Sequence, residues 1–177
     1  MDRDGTVSEE VGYIYHAGLY KVYSWTGPAI RKINEHGMKA VLITNQSGVG
    51  RGYFNEAAVD EVHRILQIDL ARHNAKLDAI YVCTHHPEAG CDCRKPNPGM
   101  LLQAQRELNV DLTQSFVIGD KYLDIETAHN VGAKGILVLT GYGREEREKR
   151  KTDAHQPDFV AENLMEAVDA VLNGVFA

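Results

Sequence analysis

Short runs that are apolar on successive residues alternate along this chain with longer stretches that are apolar every third or fourth residue. Ala40–Thr44, Ala79–Val82, Ser115–Ile118, Ile136–Leu139 and Phe159–Val160 form the first class. They read as strands covered on both faces. The second class predicts helices. Gly27 to His36 carries Ile30 and Ile33 and stops at Gly37. Asn55 to Arg72 opens on an Asn cap and repeats Val59, Val62, Leu66 and Leu70. Pro98–Leu108, Leu123–Val131 and Asn163–Leu172 follow the same spacing. The mixed-charge run Arg144–Lys151 predicts a solvated helix. Strand and helix in this rhythm predict an α/β fold, a mostly parallel sheet with helices on both faces. Neither a repeat nor a linker divides the chain, so one domain over residues 1–177 is expected.

Composition narrows the partners. The net charge is −6, which argues against nucleic acid as a partner. No apolar run approaches the roughly 18 residues that cross a bilayer, so no membrane partner is expected. Met1-Asp2-Arg3-Asp4 is charged from its second residue, unlike a secretory leader, and the odd set Cys83, Cys91 and Cys93 cannot all pair internally. Together these predict a cytoplasmic protein whose cysteines serve metal or thiol chemistry.

In parallel sheets, chemistry gathers where strands end at their carboxyl edge. Asp2-Arg3-Asp4-Gly5-Thr6 opens the chain, Thr44-Asn45-Gln46-Ser47-Gly48 follows the first clear strand, and Gly119-Asp120-Lys121 follows the third. Cys83 follows the second, with Arg94-Lys95-Pro96 a loop later. Two aspartates two residues apart suit a carboxylate nucleophile with a neighbouring acid/base, provided the phosphoryl charge is neutralised. A hard cation with oxygen ligands, usually Mg²⁺, would do that, with Asp120 as a second carboxylate. Thr44 and Lys95 supply donors for the oxygens in transfer.

These four motifs resemble those of the haloacid dehalogenase (HAD) phosphatase superfamily. The resemblance implies a Rossmann-like core and an aspartyl-phosphate formed on Asp2. Asp4 would protonate the leaving group and then activate water. Mg²⁺ would lie on Asp2, the Asp4 main-chain carbonyl and Asp120, while Thr44 and Lys95 steady the phosphoryl group and Asp124 positions Lys95. No separate cap domain is expected.

Cys83-x-His85 and Cys91-x-Cys93 place three thiols and an imidazole on one short loop. This donor set predicts a closed, structural zinc site that fixes how Arg94 and Lys95 are presented.

The motifs, extended by Gly12-Tyr13, Arg51-Gly52, His86-Pro87 and Pro98-Gly99-Met100, look like the D-glycero-D-manno-heptose 1,7-bisphosphate 7-phosphatase family. Its members act in nucleotide-activated heptose and lipopolysaccharide core synthesis. That likeness implies substrate contacts from Glu10, Val11, Gly12 and Tyr13, and from Thr44, Asn45, Gln46 and Ser47. Arg94 and Lys121 would recognise the sugar phosphate, with Arg51 a further candidate cation. A small sugar bisphosphate is then the partner, and a monomer is expected. Histidinol-phosphate phosphatase is the alternative within the superfamily. More distant are a polynucleotide 3′-phosphatase and an inactive zinc-stabilised binding module, whose mark, loss of Asp2 or Asp4, is absent.

In that family a hydrophobic strand leads into the first aspartate, whereas only Met1 precedes Asp2 here. The first core strand is therefore expected to be missing or truncated, either because the start is placed too late or because the numbered chain is a fragment. If the chain truly begins at Met1, unpaired ladder groups in the middle of the sheet, poor folding and weak activity are expected.

Overall fold

The computed structural model describes residues 1–150, 152 and 154–176. Among these residues five strands form, β1 (Val41–Asn45), β2 (Ala79–Cys83), β3 (Phe116–Gly119), β4 (Lys134–Val138) and β5 (Phe159–Ala161). All pairings are parallel. Val41 to Asn45 run beside Ala79 to Cys83, β3 lies beside β4, and β4 beside β5.

Seven α-helices accompany them, α1 (Thr26–Glu35), α2 (Ser47–Gly50), α3 (Glu56–Arg72), α4 (Gly99–Leu108), α5 (Tyr122–His129), α6 (Gly143–Lys149) and α7 (Leu164–Leu172). Their ends are set by side chains. Asn55 accepts from the Ala58 N–H to start α3, and Asn163 accepts from Glu166 to start α7. α4 stops where Asn109 turns left-handed at φ 51°. The solvated helix expected over 144–151 is α6; Lys151 lies outside the described residues.

Two layers of core follow from strand alternation. Leu42, Ile118, Ile136 and Val138 point to the side where α1, α3 and α7 bury Ile30, Leu66, Leu70, Leu164 and Val168. Ile43 and Val117 point the other way, onto Met100, Leu101 and Ala104 of α4, and Leu137 meets Tyr122 and Ile125 of α5. In β1, β3 and β4 successive residues are buried on both faces, which is why these strands are apolar without alternation.

The pairs β1–β2 and β3–β4–β5 do not hydrogen-bond directly. Met1 and Asp2 join them. The Met1 N–H donates to Val41 O, the Ile43 N–H donates to Met1 O, and the Asp2 N–H donates to Ile118 O, all at 2.9 Å. Beside this two-residue bridge, an apolar cavity of about 290 Å³ separates β1 from β3, walled by Met1, Ile43, Phe116, Ile118 and Leu172 among others. Asp2 is thereby suspended at the carboxyl edge, between the two ends where Thr44 and Gly119 stand.

Candidate active site

The bridge and the strands on either side of it contribute the polar groups at this edge. Asp2 continues the bridge, Thr44 and Asn45 close β1, and Asp120 and Asp124 follow β3 at the start of α5. Lys95 enters from the loop after Cys93. Its ammonium is fully enclosed, 2.8 Å from Asp2 Oδ1, 2.6 Å from Asp124 Oδ1 and 3.2 Å from the Ile43 carbonyl. Burial by itself would discharge this lysine, but Asp124 and Asp2 outweigh that and hold its pKa above the ordinary value. Burial likewise opposes ionisation of Asp2, and Lys95 overcomes it, so the Asp2 carboxyl titrates below the usual range.

Asp120 is the unbalanced member. One oxygen accepts from the Tyr142 N–H at 2.9 Å, while Oδ1 is buried with no partner. Burial first, then the charge of Asp2, pushes its pKa up to about 8. Ligand oxygens of Asp2, Asp120 and Asp124 lie within 4.8 Å of one another. Lys95 and the Lys121 N–H together engage both oxygens of Asp124, whereas Lys95 holds only Oδ1 of Asp2, so Asp2 and the orphaned oxygen of Asp120 are the pair that fits a hard divalent cation. Gly5 makes this approach possible. Its φ is +80°, and a Cβ there would sit 2.1 Å from Asp120 Oδ2.

Asp4 lies opposite. Arg3 holds both its oxygens, Nε to Oδ1 and Nη2 to Oδ2, each at 2.9 Å. Gln46 Nε2 donates to Asp4 Oδ2 and to Thr44 Oγ1, also at 2.9 Å. Because the Thr44 hydroxyl accepts from Gln46, its own proton is free for an incoming oxygen. Asn45 grips the Lys95 backbone in both directions, donating to its carbonyl at 3.2 Å and accepting from its N–H at 3.1 Å.

These groups open into a cavity of about 330 Å³. Of the residues singled out from sequence, Asp2, Asp4, Glu10, Gly12, Tyr13, Thr44, Asn45, Gln46, Ser47, Arg94, Lys95 and Lys121 line it. Val11 and Arg51 do not; Val11 is 44% exposed and Arg51 is an exposed residue ending α2. Lys121 pairs with Glu10 at 3.3 Å and lies over the Tyr142 ring. The acids around Lys121, Asp120 foremost, outweigh its burial and raise its pKa. Arg94 carries a buried Nη1 with no hydrogen-bond partner. Leu123 and Tyr142 also line the cavity, and no sequence signal marks either.

Cys83, His85, Cys91 and Cys93 converge behind Lys95, with all four ligand atoms within 4.8 Å of one another. Sulfur–sulfur separations of 2.9–3.6 Å and His85 Nδ1 at 3.1 Å from Cys93 Sγ approach the roughly 3.7 Å expected between ligands at tetrahedral corners about 2.3 Å from zinc. The three cysteines are unpaired by disulfide. Burial and its neighbouring thiols push the Cys93 thiol up to about 12, a crowding that a bound cation relieves. The loop is tied to its surroundings through backbone. The Gln46 N–H donates to Cys83 O at 2.7 Å, and Asn97 donates to Cys91 O at 2.8 Å. Gly50 packs so closely that a Cβ would meet His86 N at 2.3 Å. His86 is turned away from the cluster, capping the short turn at Pro87.

Comparison with known proteins agrees with this geometry. The HAD-hydrolase-like family matches residues 92–167. The D-glycero-beta-D-manno-heptose-1,7-bisphosphate 7-phosphatase of Yersinia pestis is 42% identical over 80% of this chain and 79% of its own length. The D-glycero-D-manno-heptose-1,7-bisphosphate 7-phosphatase of Thermosynechococcus vestitus is 39% identical over 96% of this chain and 92% of its own. Among solved structures, the D,D-heptose 1,7-bisphosphate phosphatase of B. bronchiseptica, complexed with magnesium and phosphate, superposes with a TM-score of 0.90 at 32% identity, covering 97% of this chain and 96% of that one. An acidic cluster on a parallel sheet, a buried lysine between two aspartates and relatives of this closeness place the chain in the D-glycero-D-manno-heptose 1,7-bisphosphate 7-phosphatase family of HAD-like hydrolases.

Proposed function

We propose that this protein hydrolyses the C7 phosphate of D-glycero-D-manno-heptose 1,7-bisphosphate, with Asp2 as nucleophile and Asp4 as acid and base, supplying nucleotide-activated heptose synthesis. The observation that carries this reading is the placement of Asp2. It stays ionised beside a buried, charged Lys95, faces the orphaned oxygen of Asp120, and shares a cavity with Arg94 and Lys121.

Asp2, Asp120 and the Asp4 carbonyl would hold Mg²⁺, which when bound neutralises phosphoryl charge and aligns the group for in-line attack. An Asp2 oxygen attacks phosphorus as the bond to the sugar oxygen breaks. Asp4 gives its proton to that oxygen. The Thr44 hydroxyl and the Lys95 ammonium donate to the oxygens in transfer. Asp4 then takes a proton from water, whose oxygen attacks the aspartyl-phosphate and releases inorganic phosphate and free Asp2. Arg94 and Lys121 would bind the second, unreacted phosphate, the role for which a bisphosphate needs cations beyond Lys95. Zinc on Cys83, His85, Cys91 and Cys93 would be structural, since four protein ligands leave no open position. Among the described residues no helix is long and apolar enough to cross a membrane. The same reading makes the protein a cytoplasmic monomer acting on a small molecule.

The test is phosphate release from heptose 1,7-bisphosphate and from histidinol phosphate side by side with Mg²⁺, using both heptose anomers. A strong preference for the bisphosphate that D2N abolishes supports the proposal. A preference for histidinol phosphate overturns the substrate and leaves the aspartate chemistry standing.

A further inference from the structure

Arg3 lies between the two catalytic aspartates, and its side chain is 1% exposed. A buried guanidinium is rare unless it is well engaged, and here all three nitrogens and one flat face have partners. Nε and Nη2 fork onto the two oxygens of Asp4. Nη1 lies 3.4 Å from Nε2 of His63, a buried residue of α3. The flat face rests 5.7 Å from the Tyr20 ring centroid. A guanidinium only donates, so Nε2 of His63 is the acceptor and the His63 proton sits on Nδ1. Desolvation, then the Arg3 charge, keeps that imidazole neutral by lowering its pKa to about 4.

The lone pairs of Asp4 can be counted. Oδ2 accepts from both Arg3 Nη2 and Gln46 Nε2, which occupies it. Oδ1 accepts from Arg3 Nε alone. We infer that Arg3 is the positioning residue of the proton transfer: its fork, braced by His63 and Tyr20, fixes the plane of the Asp4 carboxyl and leaves Oδ1 as the one oxygen with room for the transferred proton. Oδ1–H gives its proton to the departing sugar oxygen while the Asp2–phosphorus bond forms, and Oδ1 recovers a proton from the attacking water. This inference rests on the reading of Asp4 as the acid/base.

Leaving-group chemistry separates positioning from mere structure. An alkoxide needs a proton to depart, whereas nitrophenolate does not. With R3K, rapid mixing with a primary alkyl monophosphate is expected to show phosphorylation of Asp2 slowed by about 100-fold, within the span of acid–base contributions. With 4-nitrophenyl phosphate, the same variant should release its first equivalent of nitrophenolate within about threefold of the native rate, then turn over slowly because water still needs the base. D4N should give the same pattern, more deeply. Equal slowing of both first steps by R3K, or slowing of neither, overturns the positioning role while D4N still reports on Asp4. If D4N itself spares the alkyl substrate, the acid/base reading falls and this inference falls with it. Should R3K not fold, H63L and H63Q measure the same ratio. H63L should slow the alkyl step selectively by several-fold and H63Q, which keeps an acceptor for Nη1, should restore it. Identical ratios in the two variants count against the proposal.

Discussion

Replacing Lys95 by Met removes the one positive charge that, among the described residues, contacts both Asp2 and Asp124, while keeping the length of the side chain. At 2.8 and 2.6 Å, and an effective dielectric near 20, each attraction is worth about 6 kcal/mol before desolvation. The cost of enclosing the three charges takes back most of that, and breaking such a buried pair from one side typically costs about 3–5 kcal/mol. For a domain of this size, 1 kcal/mol moves the midpoint by about 2–4 °C, so K95M should melt about 6–20 °C lower without divalent metal. Magnesium should recover more of the midpoint in K95M than in the native protein, because Asp2, Asp120 and Asp124 are then uncompensated until a cation arrives. Turnover should fall by about 100- to 1000-fold, the usual loss of one donor to a developing charge. Thermal unfolding with and without Mg²⁺, together with kcat, tests both halves. A native midpoint in metal-free K95M would refute the account of Lys95 as the charge that permits two buried carboxylates.

Three further outcomes follow from the same geometry. His63 titrates at about 4 when folded against 6.5 when free, so the neutral ring stabilises the fold fully above pH 6.5. As pH falls from 6.5 towards 4 the unfolded chain binds the extra proton, and about 3 kcal/mol is lost across that window. The difference in unfolding free energy between native protein and H63Q, followed from pH 8 to pH 4, should show this loss, and a flat difference would remove it. A thiol-competing zinc chelator should lower activity and protection of the 83–95 amides together; full activity in metal-stripped protein would show that the cluster does not present Arg94 and Lys95. R94Q should raise KM for the 1,7-bisphosphate by about 10- to 100-fold, the weight of a charge-assisted contact, and leave a 7-monophosphate nearly unchanged; equal effects on both substrates would place Arg94 on the reacting phosphate instead.

What the sequence made legible was what repeats or clusters along the chain. β1, β3 and β4 are apolar on successive residues because helices cover both faces, and that pattern survives reading in one dimension. The zinc-ligand candidates are close in sequence as well as in space. α2 escaped notice because Ser47–Gly50 is a single turn with no period to detect. Tyr142 escaped for another reason: its backbone N–H, not its side chain, meets Asp120, and any residue type can supply that. Arg51 and Val11 stand in matching motifs, yet neither lines the cavity, since a motif fixes the path of the backbone and leaves the placement of each side chain to packing.

Arg3 shows where linear reading runs out. Between two acids near a chain end, an arginine reads as a solvated charge, and its burial depends on His63 and Tyr20, which lie 60 and 17 positions away. One clue to the site's wiring was present all the same. Asp2 and Asp4 are two apart in sequence, and so are Thr44 and Gln46. Those two pairs meet at Gln46, which touches Thr44 and Asp4 at once. On the proposed mechanism, the group that would steady the phosphoryl oxygens and the group that would move the proton are thus joined by one amide. A substitution at Gln46 should therefore disturb both, and an effect confined to one of them would mean that the two halves of the site act independently.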